Sequence, residues 1–169
     1  GNGNRTAKYG EQAMTYGRKQ KVRTSYRYDI RGQLVEEKEN GSPICYTYDA
    51  AGNRTGKKTP ERVTRYSYNG KNQLTEETWD TGKNIFTYDC QGSILEIAGT
   101  EGSWRFTYNS KNQQLKVGCE DGRSQENLYD AEGLRYGVKE NGTPTWFVYH
   151  QGELLQEERE GGTISYHLG

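Results

Sequence analysis

Along this chain, rings and polar residues alternate in short bursts that return at an almost fixed interval. Aligned on the second ring of each burst, the series runs Tyr28, Tyr48, Tyr68, Tyr88, Tyr108, Tyr129 and Tyr149, a step of 20 residues with one of 21. Two residues earlier stand Tyr26, Tyr46, Tyr66, Phe86, Phe106, Asn127 and Phe147, so all three Phe and ten of the fourteen Tyr fall in two columns. Rings at i and i+2 share one face of a β-strand, whose side chains alternate, but lie about 200° apart on a helix. Each burst therefore predicts a strand.

Behind the anchors come Asp29, Asp49, Asn69, Asp89, Asn109 and Asp130, and three residues further Gly32, Gly52, Asn72, Gly92, Asn112 and Gly133. Asp and Asn fold their side chains onto the backbone just ahead, and Gly or Asn accepts the positive φ of a tight reversal. A Leu or Ile usually follows, at Leu34, Leu74, Ile94, Leu115, Leu134 and Leu154, with Arg54 breaking the column. These residues head a second strand, as in QLVEEKE and ILEIAG. Half a repeat later, Asn40-Gly41, Thr81-Gly82, Glu101-Gly102, Asp121-Gly122, Asn141-Gly142 and Gly161-Gly162 mark another reversal, the Asn-Gly and Asp-Gly pairs being strong hairpin signals. Pro60-Glu61 predicts a loop of another kind. YNSKNQQL has one more Gln than YNGKNQL, which places the extra residue of the 21-step just after the first turn.

The reading is all-β: a continuous antiparallel meander of 20-residue hairpin repeats, about fourteen strands in all. One repeat holds too little apolar surface to stand alone, so neighbouring rings must stack laterally. Sheets beyond about ten strands usually curl, and the strip is expected to curve into a partial spiral shell. Its rings and Leu would line one face, while Glu36, Glu37, Lys38, Glu76, Glu77, Glu157 and Glu158 would carry much of the second strand into water. Residues 25–169 hold seven repeats. In residues 1–24, GNGNRT resembles the turn AGNRT and reads as the tail of an earlier repeat, as though the chain were cut from something longer. Gly3 lies 29 residues before Gly32, so about nine extra residues within AKYGEQAMTYGRKQKVRT form an irregular insertion, a longer hairpin or a short helix.

Composition sharpens this picture. Only 30% of residues are hydrophobic while 12% are aromatic, against a usual apolar share of roughly 45–50%, so the fold is thin. A disordered chain would instead lack rings and carry a large net charge; here 23 basic residues balance 23 acidic ones. The balance is uneven along the chain: residues 1–60 hold twelve Lys/Arg and six Asp/Glu, and the rest hold eleven and seventeen. GRKQKVR at 17–23 is a basic run, but a neutral chain exerts no net steering on phosphate, and no nucleic-acid partner is expected. No window approaches 18 consecutive apolar residues and GNGNRTAKYG has no apolar leader core, so no membrane span is expected. Cys45, Cys90 and Cys119 are too few and too scattered for a disulfide framework.

YRYDIRGQL, YTYDAAGNRT, FTYDCQGSI and LYDAEGLR resemble the YD-repeat, or rearrangement hotspot (RHS), family, over about residues 25–160. The stretch from Tyr129 to the end is similar to the last repeats before that family's core domain. The resemblance implies a part of a large secreted or surface protein, with bacterial toxin carriers, wall-associated proteins and the animal teneurins as relatives. It also implies a β-strip that spirals into a hollow shell, which in toxin members holds a variable C-terminal effector, and it brings an attribution of carbohydrate binding to the repeats. Its partners would be the core and effector domains of the parent protein. Against the motif, the core domain is absent, seven repeats are too few to enclose a payload, Asn69 and Asn109 replace Asp, Asn127 replaces a ring and His150 stands where Asp belongs.

Chemistry is sparse. The repeated Asp residues read as turn caps, since the GGxGxD-like calcium motif is absent. His150 and His167 have no ligand spacing, and neither GxSxG nor a phosphate-cradling GxxxxGK occurs. No catalytic residue, metal or cofactor is assigned, and the chain is expected not to be an enzyme. Trp79, Trp104, Trp146, Tyr9, Tyr16 and Tyr136 stand outside the columns and are the candidates for a ligand surface. Two functions follow: a slice of an encapsulating shell, or a module that holds glycans or a cell-surface protein on its off-column rings. Unpaired terminal strands and oppositely charged halves also point to edge-mediated self-association.

Overall fold

The computed structural model describes residues 4, 6–13 and 19–166, with residues 9–13 and 19–22 as backbone alone. Sixteen strands follow one another in chain order across an antiparallel meander, with no helix among the described residues. The ring-bearing strands are β2 (Lys19–Tyr28), β4 (Ser42–Tyr48), β6 (Val63–Tyr68), β8 (Gly82–Tyr88), β10 (Gly102–Tyr108), β12 (Ser124–Tyr129) and β14 (Thr143–His150), and β16 (Gly162–Ser165) leads up to Tyr166. The return strands are β1 (Ala7–Ala13), β3 (Leu34–Glu39), β5 (Arg54–Lys58), β7 (Leu74–Trp79), β9 (Ile94–Gly99), β11 (Gln114–Cys119), β13 (Arg135–Glu140) and β15 (Glu153–Arg159). The chain divides into two compact units, Gly1–Lys83 and Asn84–Gly169.

The two strands beyond the expected fourteen are β1 and β16. Of the two conformations left open for the N-terminal insertion, the chain takes the hairpin: Ala7 pairs with Ser25, and the ladder runs on to Ala13 opposite Lys19. In the ordinary repeat the corresponding ladder already ends at Glu39 opposite Ser42. The nine additional residues lengthen one hairpin and leave the register of the repeats intact.

Every ring strand meets its return strand with one bulge, always at the same place. Arg27 pairs with Glu36 but Tyr28 with Leu34, leaving Val35 extra; the same shift leaves Thr55, Thr75, Leu95, Leu115, Tyr136 and Leu155 extra in the later repeats. The residues opposite the anchors are thus Leu34, Arg54, Leu74, Ile94, Gln114, Arg135 and Leu154. This corrects the Leu column at two points: Leu115 is a bulge residue, and Leu134 belongs to the turn, its carbonyl accepting from the Asp130 N–H.

The 21-residue step is also relocated. The turns after Tyr68 and Tyr108 are the same length, Asn69 and Asn109 donating to Gln73 and Gln113. The extra residue sits between β11 and β12, where Gly118 pairs with Ser124 while Ala98 pairs with Ser103. The two-residue turn that joins Glu39 to Ser42 and Gly99 to Gly102 is replaced there by a loop in which Cys119 N–H donates to Arg123 and Gly122 N–H returns to Cys119.

One face of the sheet carries the rings. Along β8, Asn84, Phe86 and Tyr88 are half-buried and Lys83, Ile85 and Thr87 exposed, the alternation a one-sided strand shows. Burial is shallow: Val138 is the one buried apolar residue among those described, joined by Thr24, Thr64 and Asn127. The return strands are wetter in sequence than in structure. Glu36, Glu37, Lys38, Glu76, Glu77 and Glu157 are half-buried and Glu158 is exposed, because pairing puts Glu37, Glu77 and Glu157 beside the rings of Tyr26, Tyr66 and Phe147.

Candidate functional site

The most regular feature is a seam between successive hairpins. Tyr48 Oη donates to the carbonyl of Leu34 at 2.8 Å, Tyr68 to Arg54 at 2.9 Å, Tyr108 to Ile94 at 2.9 Å, Tyr129 to Gln114 at 3.2 Å and Tyr149 to Arg135 at 2.9 Å. The acceptor is in every case the residue that faces the previous anchor across the bulge. The seam has a cause: the ladder from each return strand to the next ring strand begins only beyond the bulge, at Glu36 opposite Cys45 and at Glu96 opposite Arg105. Where backbone pairing stops, a phenol hydroxyl reaches the carbonyl that it leaves over. Burial raises the pKa of Tyr88 and Tyr108, and for Tyr46 burial is joined by the charge of Glu37.

The sequence-assigned turn residues form a second seam. Asp29 Oδ1 accepts from the N–H groups of Arg31 at 2.8 Å and Gln33 at 2.9 Å. Asp89 and Asn109 repeat this two residues and four residues on, Asp49 accepts from Asn53, and Asp130 accepts from Gly133 and Leu134. The turn needs one left-handed residue: Gly52 has φ 91° and Asn72 φ 60°. Adjacent turns also bond to each other, Asn53 Nδ2 to Asn72 Oδ1 at 2.9 Å and Gln113 Nε2 to the Gly133 carbonyl at 2.7 Å. Gln33 Nε2 lies 3.4 Å from the position a Cβ on Gly52 would take, and Asn4 Nδ2 stands in the same relation to Gly32, also at 3.4 Å. At the seventh turn His150 pairs directly with Glu153 through Gln151 and Gly152, both at positive φ, giving a hairpin one residue shorter.

That shortening hides an eighth register, which the fixed 20-residue step passes over. Tyr166 N–H donates to the carbonyl of the bulge residue Leu155, as Tyr26 N–H does to Thr6, so Tyr166 occupies the first ring column. Its hydroxyl donates to Glu157 Oε1 at 2.8 Å, and this bond, followed by the Arg159 guanidinium, lowers the Glu157 pKa. The residue two positions on, where an anchor Tyr would stand, is Leu168, outside the described residues. Two exceptions inside the columns are resolved by polar contacts. Asn127 is buried, donating to the Gln114 carbonyl at 3.0 Å. Arg54 lays its guanidinium over the rings of Tyr46 and Tyr66, 5.7 and 4.8 Å from their centroids.

The off-column rings separate into two groups. Trp79 and Trp104 lie on the ring face and are half-buried; each is covered by an arginine, Arg62 at 4.0 Å and Arg123 at 4.8 Å. Tyr136 and Trp146 lie on the opposite face, 41% and 39% exposed, and stack on each other at 6.1 Å with 5° between planes. Gly137 makes this possible, since a Cβ there would stand 2.8 Å from the Trp146 ring. Only the backbone of Tyr9 is described, and Tyr16 lies outside the described residues. Among the described residues no three His, Cys, Asp or Glu side chains converge, Cys45, Cys90 and Cys119 are free thiols, and no helix is long and apolar enough to cross a membrane.

Comparison with known proteins matches residues 58–153 to the family model of the teneurin YD-shell. In fold the chain is similar to a crystal structure of TcdB2-TccC3, with TM-score 0.61 and 12% identity over 86% of this chain and 10% of that one. It is also similar to a Tc holotoxin pore of Photorhabdus luminescens carrying a mutated TccC3, with TM-score 0.55 and 14% identity over 89% and 12%. A third, TcdB2-TccC3-Cdc42, gives TM-score 0.50 and 16% identity over 94% and 9%. The chain thus spans about a tenth of the length of these structures. No curated protein matches it.

Proposed function

Because this chain belongs to the teneurin YD-shell family, we propose that it is a wall segment of a β-shell that, in its full-length protein, encloses or presents a C-terminal effector such as a toxin domain. The observation that carries this reading is the seam, in which the anchors Tyr48, Tyr68, Tyr108, Tyr129 and Tyr149 each fasten their hairpin to its predecessor by the same hydroxyl-to-carbonyl bond. Such a strip grows by repetition, and no catalytic step, metal or cofactor is assigned to it. Each bulge also bends its strand locally, always in the same place in the repeat, which suits a curving wall. The partner is the remainder of the parent protein, and the setting is extracellular or at a cell surface.

Expression of the chain together with the coding sequence that follows it in its gene tests this. Protease treatment should spare the downstream segment in the joint product and digest it when it is expressed alone. Equal digestion in both would refute enclosure. For the alternative reading, glycans or a cell-surface protein held on off-column rings, the rings open to a ligand among the described side chains are Tyr136 and Trp146, since arginines lie on Trp79 and Trp104.

A further inference from the structure

Three tryptophans stand off the columns, and two of them already have an arginine lying on the ring: Arg62 on Trp79 and Arg123 on Trp104. Two further arginines, Arg54 and Arg135, lie over column rings. Trp146 has no such cover among the described residues and remains exposed, extended by its stack with Tyr136. Its surroundings differ in one further respect. Trp146 lines a depression of about 450 Å³ whose other walls are Pro144, Glu158, Arg159 and Glu160. Register places Glu158 directly opposite Trp146 on the same face. The one arginine of the wall is engaged elsewhere, Arg159 pairing with Glu157. Glu158 accepts only from the neutral Gln156 amide, at 3.0 Å, and neither Glu158 nor Glu160 has a cationic partner among the described residues. The unit that carries the depression, residues 84–169, holds thirteen Asp/Glu against seven Lys/Arg.

A ring face attracts a cation through its quadrupole, and adjacent carboxylates supply the counter-charge and hydrogen-bond acceptors that a planar guanidinium uses best. We propose that the Trp146 depression is a docking site for an arginine side chain presented by a partner polypeptide, held flat on Trp146 with its N–H groups directed to Glu158 and Glu160. The partner supplies to Trp146 what Arg62 and Arg123 supply to the other two tryptophans. This site lies on the face away from the ring columns and does not depend on what the shell encloses.

The test uses the whole chain with Trp79→Phe and Trp104→Phe, so that Trp146 alone reports by fluorescence, titrated with N-acetyl-arginine amide, its lysine counterpart and the neutral isostere N-acetyl-citrulline amide. Arginine amide should give a saturable change with a dissociation constant of about 10 mM, as one small contact allows; lysine should bind more weakly and citrulline not at all. Glu158→Gln with Glu160→Gln, both exposed and harmless to the fold, should weaken arginine roughly fivefold, and added salt should act in the same direction. No saturable change with arginine, an equal response to citrulline, or unaltered affinity in the double Gln variant would overturn the proposal. So would maltooligosaccharides that saturate Trp146 while arginine does not, which would identify the platform as a sugar site. Trp146→Ala should leave the sedimenting mass of the chain unchanged; a mass that depends on Trp146 would mean that a second copy fills the site, against assignment to a separate partner.

Discussion

The hydroxyl of Tyr48 donates to the main-chain carbonyl of Leu34, fourteen residues back and one hairpin away, at 2.8 Å. Tyr46, on the same strand and face, makes no such bond; its ring instead lies beneath the Arg54 guanidinium. The two columns therefore have different chemistry, and the sequence reflects it: across the seven repeats the first column holds Phe at three places, whereas the second is Tyr at all seven.

Removing the two hydroxyls separately tests that difference. Tyr48→Phe leaves a half-buried carbonyl without its donor and should lower stability by about 1 kcal/mol, visible as a shifted midpoint in urea at unchanged slope. Tyr46→Phe should be neutral within a few tenths of a kcal/mol. Equal effects would show that the seam bond contributes nothing particular.

Much of this was legible in the residues. The i, i+2 rings and the Asp-x-x-Gly turns specify strand and reversal by local physics alone, and the 20-residue return specifies the meander. What was not legible lay in pairing between strands. Leu115 and Leu134 look interchangeable with Leu74 in sequence, but a bulge and a turn respectively claim them, and only the register of Tyr108 with Gln114 and of Tyr129 with Arg135 shows it. Tyr166 escaped because the turn at His150 is one residue short and the following anchor is Leu168, so a fixed step misses it. The two fates of the off-column rings were equally hidden, since strand alternation puts Trp104 among the rings and Trp146 on the opposite face, and no spacing in the sequence marks which tryptophan an arginine will cover.

The turn caps make an acid-sensitive contribution. Asp49 has its pKa lowered, first by the Asn53 side chain and then by the surrounding backbone N–H groups. A folded-state pKa below the unfolded value means stability that is present above about pH 4 and lost as the pH falls through the folded value. Asn69 caps its turn with no charge, its Nδ2 donating to Gln73 Oε1 at 2.8 Å. Asp49→Asn should therefore fold normally at pH 7 and lose less stability than the parent between pH 5 and pH 2, measured by thermal melts. A variant that loses as much as the parent would remove Asp49 from the acid response.

Among the described residues, β1 and β16 each have a ladder partner on one side only, and β16 is exposed along its length. Residues 1–83 hold sixteen Lys/Arg and ten Asp/Glu, while residues 84–169 hold seven and thirteen. Edge pairing favoured by this opposition should appear in light scattering as an average mass that rises with concentration at low salt and falls as salt is added. A constant monomer mass under both conditions would contradict it.

Cohesion in this fold is lateral: hairpins are held by the phenol hydroxyls and turn amides of their neighbours. The most direct measurement is circular dichroism with sedimentation on a peptide of one hairpin, residues 102–123, beside the whole chain. The monomeric peptide should be unstructured and without a cooperative melt while the whole chain melts cooperatively; a monomeric peptide that folds and melts cooperatively by itself would contradict lateral cohesion.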